Sequence, residues 1–176
     1  MMAPQSKRRK ALIIVDVQPA FLNKRNRYIV KNIQKLLKEE KYDAYIESVF
    51  HAEKGCIWDK QTGWILPKGK YTHTIPKIIK LLPKQAIHIQ KESKSVFRRH
   101  RKLVEILRRK KIKEIHIVGL DTNDCVLATA YDSFDLGFFT YVIEDCVQSS
   151  WSEKVHKEAL DLLRHNNLTN KSVYKR

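Results

Sequence analysis

Short apolar runs of strand length alternate along the chain with segments in which apolar residues recur at helical spacing. The run at 11–15 is apolar throughout, which is typical of a strand buried on both faces of a sheet. Ile29 and Ile33, with Leu36 and Leu37, fall instead on one face of a helix. The pattern predicts strands at 11–15, 44–50, 86–90, 115–120 and 138–143, and helices around 29–37, 103–107, 125–136 and 155–163.

This alternation indicates a parallel sheet with helices on both faces. We predict the α/β fold class, in three α/β/α layers, with a mostly parallel sheet of five or six strands. One domain at 11–170 would lie between basic tails at 1–10 and 171–176. Gly137 is suited to end the third helix and Ser152 to cap the last one. The less regular stretch at 51–83 is predicted to be a long ordered loop.

Apolar run length and cysteine usage narrow the class of protein. The longest apolar run has five residues, against the roughly 20 of a membrane-spanning helix, so no membrane segment is expected. No apolar run long enough for a signal peptide follows the basic start of the chain. Cys56, Cys125 and Cys146 are too few and too far apart for a disulfide framework. We therefore expect a cytoplasmic protein.

The chain is strongly basic, with 35 Lys and Arg against 19 Asp and Glu, a formal net charge of +16. Nucleic acid is a possible partner, because cations that neutralise phosphates gain affinity by releasing counterions. However, the clusters at 98–102 and 108–111 flank an apolar helical stripe, where charge is more often a solvated face. No nucleic-acid-binding motif accompanies them. Nucleic acid is thus possible but not favoured, and an anionic substrate stays open.

Three reactive side chains follow predicted strands. Asp16 ends the first strand, Lys91 ends the third, and Cys125 comes shortly after the fourth. Ligands of open α/β sheets bind beyond the carboxyl ends of the strands, so these groups are expected at one edge. A helix start and a nearby lysine would favour the Cys125 thiolate, which is a competent nucleophile. Taken singly, each residue could instead be a turn, solvated or packing residue.

At these positions the sequence resembles the isochorismatase-like cysteine hydrolase family, which includes nicotinamidases and N-carbamoylsarcosine amidases. The family's D-x-Q-x-x-F motif, which follows its opening strand, is matched by Asp16, Gln18 and Phe21. The segment 91–97 matches the motif K-x-x-x-S-x-F, and the segment 119–130 resembles the motif that carries the nucleophile, G-x-x-T-x-x-C-V-x-x-T-A. The motifs occur in the same order as in the family, and the resemblance spans residues 11–150.

The resemblance implies a catalytic triad of Asp16, Lys91 and Cys125. Cys125 would attack a carbonyl carbon, Asp16 would carry the proton to the leaving amine, and Lys91 would hold Asp16 ionised. The backbone amides of Asp121 and Cys125 would form the oxyanion hole. The peptide bond between Leu120 and Asp121 would be cis.

The sequence departs from the nicotinamidase pattern in two places, at the metal site and in the loop that would form the pocket. Val49 stands where the metal-binding aspartate is expected, and His51 and His73 without that carboxylate make a poor site. We therefore expect no metal and no other cofactor. Phe21, Phe50, Trp58 and Trp64 are candidate pocket walls, although core packing would explain each equally well.

The expected function is a metal-independent cysteine hydrolase that cleaves an amide or carbamoyl C–N bond of a small molecule through a thioester. True isochorismatases lack the cysteine nucleophile, so Cys125 favours amide over vinyl-ether hydrolysis. Cys56 and Cys146 match no catalytic position and are interpreted as structural. The alternatives are an isochorismatase-type or other carbonyl hydrolase with the same triad, and a catalytically silent basic binding protein. Family members usually form dimers or larger homo-oligomers, so the resemblance implies a homo-oligomer here, a dimer or tetramer.

Overall fold

The computed structural model describes residues 8–66 and 68–170. Most of the predicted tail at 1–10, and all of that at 171–176, lie outside these residues. The strands are β1 (Lys10–Val15), β2 (Ala44–Phe50), β3 (Ile87–Lys91), β4 (Glu114–Gly119) and β5 (Phe139–Val147). The helices are α1 (Ile29–Glu39), α2 (Ile57–Thr62), α3 (Pro76–Ile79), α4 (Arg101–Arg109), α5 (Leu127–Asp135) and α6 (Glu153–His165).

All five strands are parallel and lie in the order β3-β2-β1-β4-β5. The predicted α/β class is confirmed, with five strands in the sheet. Ile13 at the centre of β1 pairs with Ile46 of β2 on one side and Ile117 of β4 on the other. The strand order reverses at β1, and the carboxyl end of such a reversal is where open α/β sheets bind ligands.

Alternate residues of β1 supply the two halves of the core. Ile13 packs on one face, in a cluster that includes Leu107 of α4 and Leu163 of α6. Leu12 and Ile14 pack on the other face against α1 and α3. Because β1 is covered on both sides, its sequence is apolar at every position from 11 to 15, as a strand buried on both faces requires.

The structure differs from the sequence prediction in two segments. The stretch at 51–83, predicted as a loop, contains α2, a 3-10 turn (Gly69–Thr72) and α3. These elements are too short for a helical period to show in the sequence. The helix predicted from Cys125 is preceded by a π-helical turn (Thr122–Val126), and α5 starts only at Leu127.

Both predicted helix-end residues are confirmed. The Ser152 side chain accepts a hydrogen bond from the Val155 amide at the start of α6. Gly137 follows α5 with a φ of +88°, in the region that favours glycine. Within the described residues, no helix combines the length and apolar character needed to cross a bilayer.

Candidate active site

A buried ion pair joins the ends of β1 and β3. Lys91 Nζ lies 2.7 Å from Asp16 Oδ2, and both side chains are buried. Ser48, on the intervening strand β2, donates its hydroxyl to Asp16 Oδ1 at 2.8 Å. Lys91 also donates to the Ser93 carbonyl at 3.0 Å. The Ser48 side chain is small, so Lys91 can reach across β2 to Asp16.

The Cys125 thiol lies against this pair, and its pKa is well above the ordinary value. Burial is the main cause, and the negative charge of Asp16 adds to it, while the positive charge of Lys91 opposes both. The sequence-based expectation of a thiolate stabilised by a helix start was therefore wrong: desolvation and Asp16 favour the thiol. Burial acts to lower the pKa of Lys91, but Asp16 and Cys125 outweigh it and raise the pKa.

Gly119 allows β4 to end in close contact with β1. A Cβ atom there would lie 2.0 Å from the Val15 carbonyl oxygen, and the φ of +121° is one that other residues rarely adopt. Shortly after Gly119, the peptide bond between Leu120 and Asp121 is cis. This bond leads directly into the π-helical turn that carries Cys125.

Ser150, in the turn after β5, holds the Asp121 carboxylate. The Ser150 amide donates to Oδ1 at 2.7 Å and its hydroxyl to Oδ2 at 2.6 Å. Burial raises the pKa of Asp121 to about 6, although the hydrogen bonds from Ser150 oppose the shift. The Asp121 carbonyl accepts from the Val126 amide at 3.1 Å, so residue 121 is fixed at both ends.

Other polar residues of the family motifs hold the walls of the site in place. The Gln18 carboxamide donates to the Phe50 and Tyr71 carbonyls and accepts from the Phe50 amide at 2.7 Å, which ties β1 to β2. The Thr122 hydroxyl lies 2.9 Å from His156 Nδ1 of α6. Burial lowers the pKa of His156, which favours a neutral ring in this contact. These residues position the backbone around Cys125.

The site opens into a cavity of about 980 Å³ whose lining includes Asp16 and Cys125. The structure brings all four predicted wall residues to this cavity: Phe21, Phe50, Trp58 and Trp64. The Phe50 and Trp64 rings are nearly parallel, at 19°, with centroids 6.4 Å apart. Phe50 is buried among the other rings, so it packs the aromatic cluster as well as lining the cavity.

Two polar atoms of the cavity lining have no hydrogen-bond partner among the described residues. They are Trp58 Nε1, a donor, and Asn123 Oδ1, an acceptor, and both are buried. Buried polar groups of this kind are nearly always paired in folded proteins. Both atoms are enclosed within the cavity wall, so in this arrangement neither is open to a molecule in the cavity. Asn123 and Ser150 were not identified from the sequence, because only the fold shows what they face.

Lys94 stands at the mouth of the cavity. Its ammonium group forms an ion pair with Asp124, next to Cys125, and lies 5.1 Å from the centroid of the Trp58 ring. The ion pair links the loop after β3 to the π-helical turn. The cavity lining also includes the two exposed side chains Ile57 and Trp151.

The two histidines considered as metal ligands do not converge. His51 Nε2 lies 2.9 Å from Glu53 Oε1, and His73 lines a second cavity with Glu47 and His88. Across residues 8–66 and 68–170, no group of three or more His, Cys, Asp or Glu side chains could hold a metal ion. With Val49 in the position of the expected aspartate, the donor set does not fit the metal site of nicotinamidases.

The family model described as the isochorismatase domain matches residues 10–171, so the chain belongs to the isochorismatase family of hydrolases. An uncharacterized isochorismatase family protein, YrdC of Bacillus subtilis, is 32% identical over 142 residues, covering 78% of this chain and 72% of that one. The ureidoacrylate amidohydrolase RutB of Caulobacter segnis is 33% identical over 98 residues, covering 56% and 40%. The pyrazinamidase/nicotinamidase of Streptococcus mutans shares the fold, with a TM-score of 0.78 at 23% identity, covering 91% and 98%.

Proposed function

We propose that this protein hydrolyses an amide or carbamoyl C–N bond of a small molecule, with Cys125 as nucleophile and without a metal ion. The observation that carries the proposal is the position of the Cys125 thiol against the buried Asp16–Lys91 pair, at the edge of a ligand-sized cavity. The names of two similar proteins, an amidohydrolase and a nicotinamidase, support C–N bond hydrolysis.

In the first half-reaction, the Cys125 sulfur attacks the carbonyl carbon while its proton moves to the Asp16 carboxylate. The raised pKa of the thiol is compatible with this step, because attack and proton transfer to Asp16 are then coupled. The protonated Asp16 gives its proton to the nitrogen as the C–N bond breaks, and ammonia or an amine leaves. The acyl group remains on sulfur as a thioester.

Charge during the reaction is balanced by fixed groups. Lys91 faces the Asp16 carboxylate throughout and opposes the negative charge that develops beside it. The backbone amides of Asp121 and Cys125 are the proposed oxyanion donors, and removal of one such donor typically costs about 3–4 kcal/mol of transition-state stabilisation. Water then attacks the thioester, Asp16 takes a proton from the water, and Cys125 recovers its proton as the acid leaves.

The cavity lining includes the polar residues Asp121, Asn123 and Ser150 near Cys125. Such a lining suits a substrate with a polar group that can both donate and accept hydrogen bonds, as amide and carbamoyl groups do. The aromatic walls add apolar contact area for the rest of a small molecule.

The test is release of ammonia or amine from a panel of small primary amides and N-carbamoyl compounds, after removal of metal ions with EDTA. We expect turnover in the wild type and none in Cys125→Ala, because no other group can form the thioester. Cys146→Ala, at a cysteine that does not line the cavity, is the matched control and should keep its activity. Turnover by Cys125→Ala would refute the cysteine mechanism, and loss of activity on chelation would refute metal independence. Turnover of a vinyl ether in place of the amides would support the isochorismatase-type alternative.

A further inference from the structure

Helix α4 and the turn after it carry the most concentrated positive charge of the described structure. We define the α4 basic face as seven exposed side chains within residues 101–113: Arg101, Lys102, Arg108, Arg109, Lys110, Lys111 and Lys113. The only carboxylate in this segment is Glu105. The apolar side of α4, with Leu103 and Leu107, is buried in the core, so the basic side faces solvent.

The cations of the α4 basic face are not neutralised by the protein. Among the residues described, none of the seven has a carboxylate oxygen within 4.0 Å. Helix α6 shows the ordinary pattern instead, with ion pairs four residues apart between Glu153 and Lys157 and between Lys154 and Glu158. The exposed Lys31, Lys35 and Lys38 of α1 likewise have no ion pair among the described residues, so α4 is distinguished by the number of cations that it carries.

Helix stability does not account for this arrangement. The helix dipole favours Arg108 and Arg109, which lie in the last turn of α4. It disfavours Arg101 and Lys102, which lie in the first turn, where no acidic residue is present. A bound polyanion would stabilise cations at both ends of the helix.

We propose that the α4 basic face binds the phosphate backbone of a nucleic acid. The nine residues of α4 span about 14 Å. A duplex carries one charge per roughly 1.7 Å, so a helix of this length can contact several phosphates. Three of the seven cations are arginines, whose planar guanidinium groups match phosphate geometry. None of the exposed large hydrophobic residues lies on the segment 101–113, so nothing there would insert into a lipid surface. The net charge of +16 would speed the encounter with any polyanion.

The test compares two variants with equal loss of charge. R101Q/K102Q/R108Q/R109Q neutralises four cations of the α4 basic face. K31Q/K35Q/K38Q/K41Q neutralises four exposed lysines of α1 and the turn after it, on the opposite side of the sheet. Binding is measured by fluorescence polarisation with labelled RNA and DNA oligonucleotides, single-stranded and duplex, over a range of salt concentrations. Circular dichroism melts confirm that both variants fold.

We expect the wild type and the α1 variant to bind with the same salt dependence, and the α4 variant to bind more weakly. Four lost contacts with a single strand would make the log–log salt slope shallower by about 2.8. Between about 50 and 200 mM salt the wild type would then lose about 50-fold more affinity than the α4 variant. Equal effects of the two variants would overturn the proposal, because net charge alone would explain them. So would the absence of binding at low salt, or tighter binding to phosphatidylserine vesicles than to any oligonucleotide.

Discussion

Replacing Lys91 with methionine removes the ammonium group that lies 2.7 Å from the Asp16 carboxylate, in a site where both side chains are buried. At that distance the attraction is about 6 kcal/mol with an effective dielectric constant of 20. Part of this is offset by the cost of taking two charges out of water. Since Lys91→Met leaves Asp16 buried without its counter-charge, we expect the free energy of unfolding to fall by about 3–5 kcal/mol.

Urea denaturation at pH 7 measures this loss, together with the D16N and D16N/K91M variants. The double variant removes both charges and keeps similar volume, so its loss should be smaller than the sum of the two single losses by at least about 2 kcal/mol. Lys84→Met, at an exposed position, is the control and should change stability by less than about 0.5 kcal/mol. Additive losses, or a cost of Lys91→Met below about 1 kcal/mol, would refute the idea that the pair is a coupled, buried unit.

Three further predictions concern the backbone and the titrating groups of the site. Gly119→Ala should destabilise the protein by several kcal/mol more than Gly137→Ala, because only at Gly119 does a Cβ meet backbone; equal urea midpoints would contradict this. The pH midpoint of iodoacetamide alkylation of Cys125 should lie above the ordinary thiol value of 9.0 and should move down in Asp16→Asn, which removes a charge that raises it. An upward shift, located by mass spectrometry of the adduct, would argue against this coupling. The folded pKa of Asp121, about 6, is above the ordinary 3.8, so its contribution to stability is complete below about pH 4 and is lost as pH rises through 6. This pH-dependent contribution of Asp121 amounts to about 3 kcal/mol. Asp121→Asn should abolish it when the free energy of unfolding is measured by urea titration at pH values between about 4 and 6.

The local pattern of the sequence was sufficient to predict the α/β fold and the β1, β2 and β4 strands within a residue or so of their ends. The reason is that burial on both faces of a parallel sheet leaves a continuous apolar run, while surface helices leave a 3.6-residue period. Short elements such as α2 leave neither signal. The predicted end of β5 lies four residues too early, because Glu144 and Asp145 interrupt its apolar run.

The sequence alone also supplied the three reactive side chains, because residues that end parallel strands meet at one edge of the sheet. Only the tertiary structure showed that Lys91 reaches Asp16 across β2, past the small side chain of Ser48. The structure also showed that the pKa of the Cys125 thiol is raised and not lowered, mainly because the thiol is buried. Desolvation depends on which groups surround a side chain in space. Asp16 and Lys91 are 75 positions apart in the chain, so the local sequence around either residue does not reveal its surroundings.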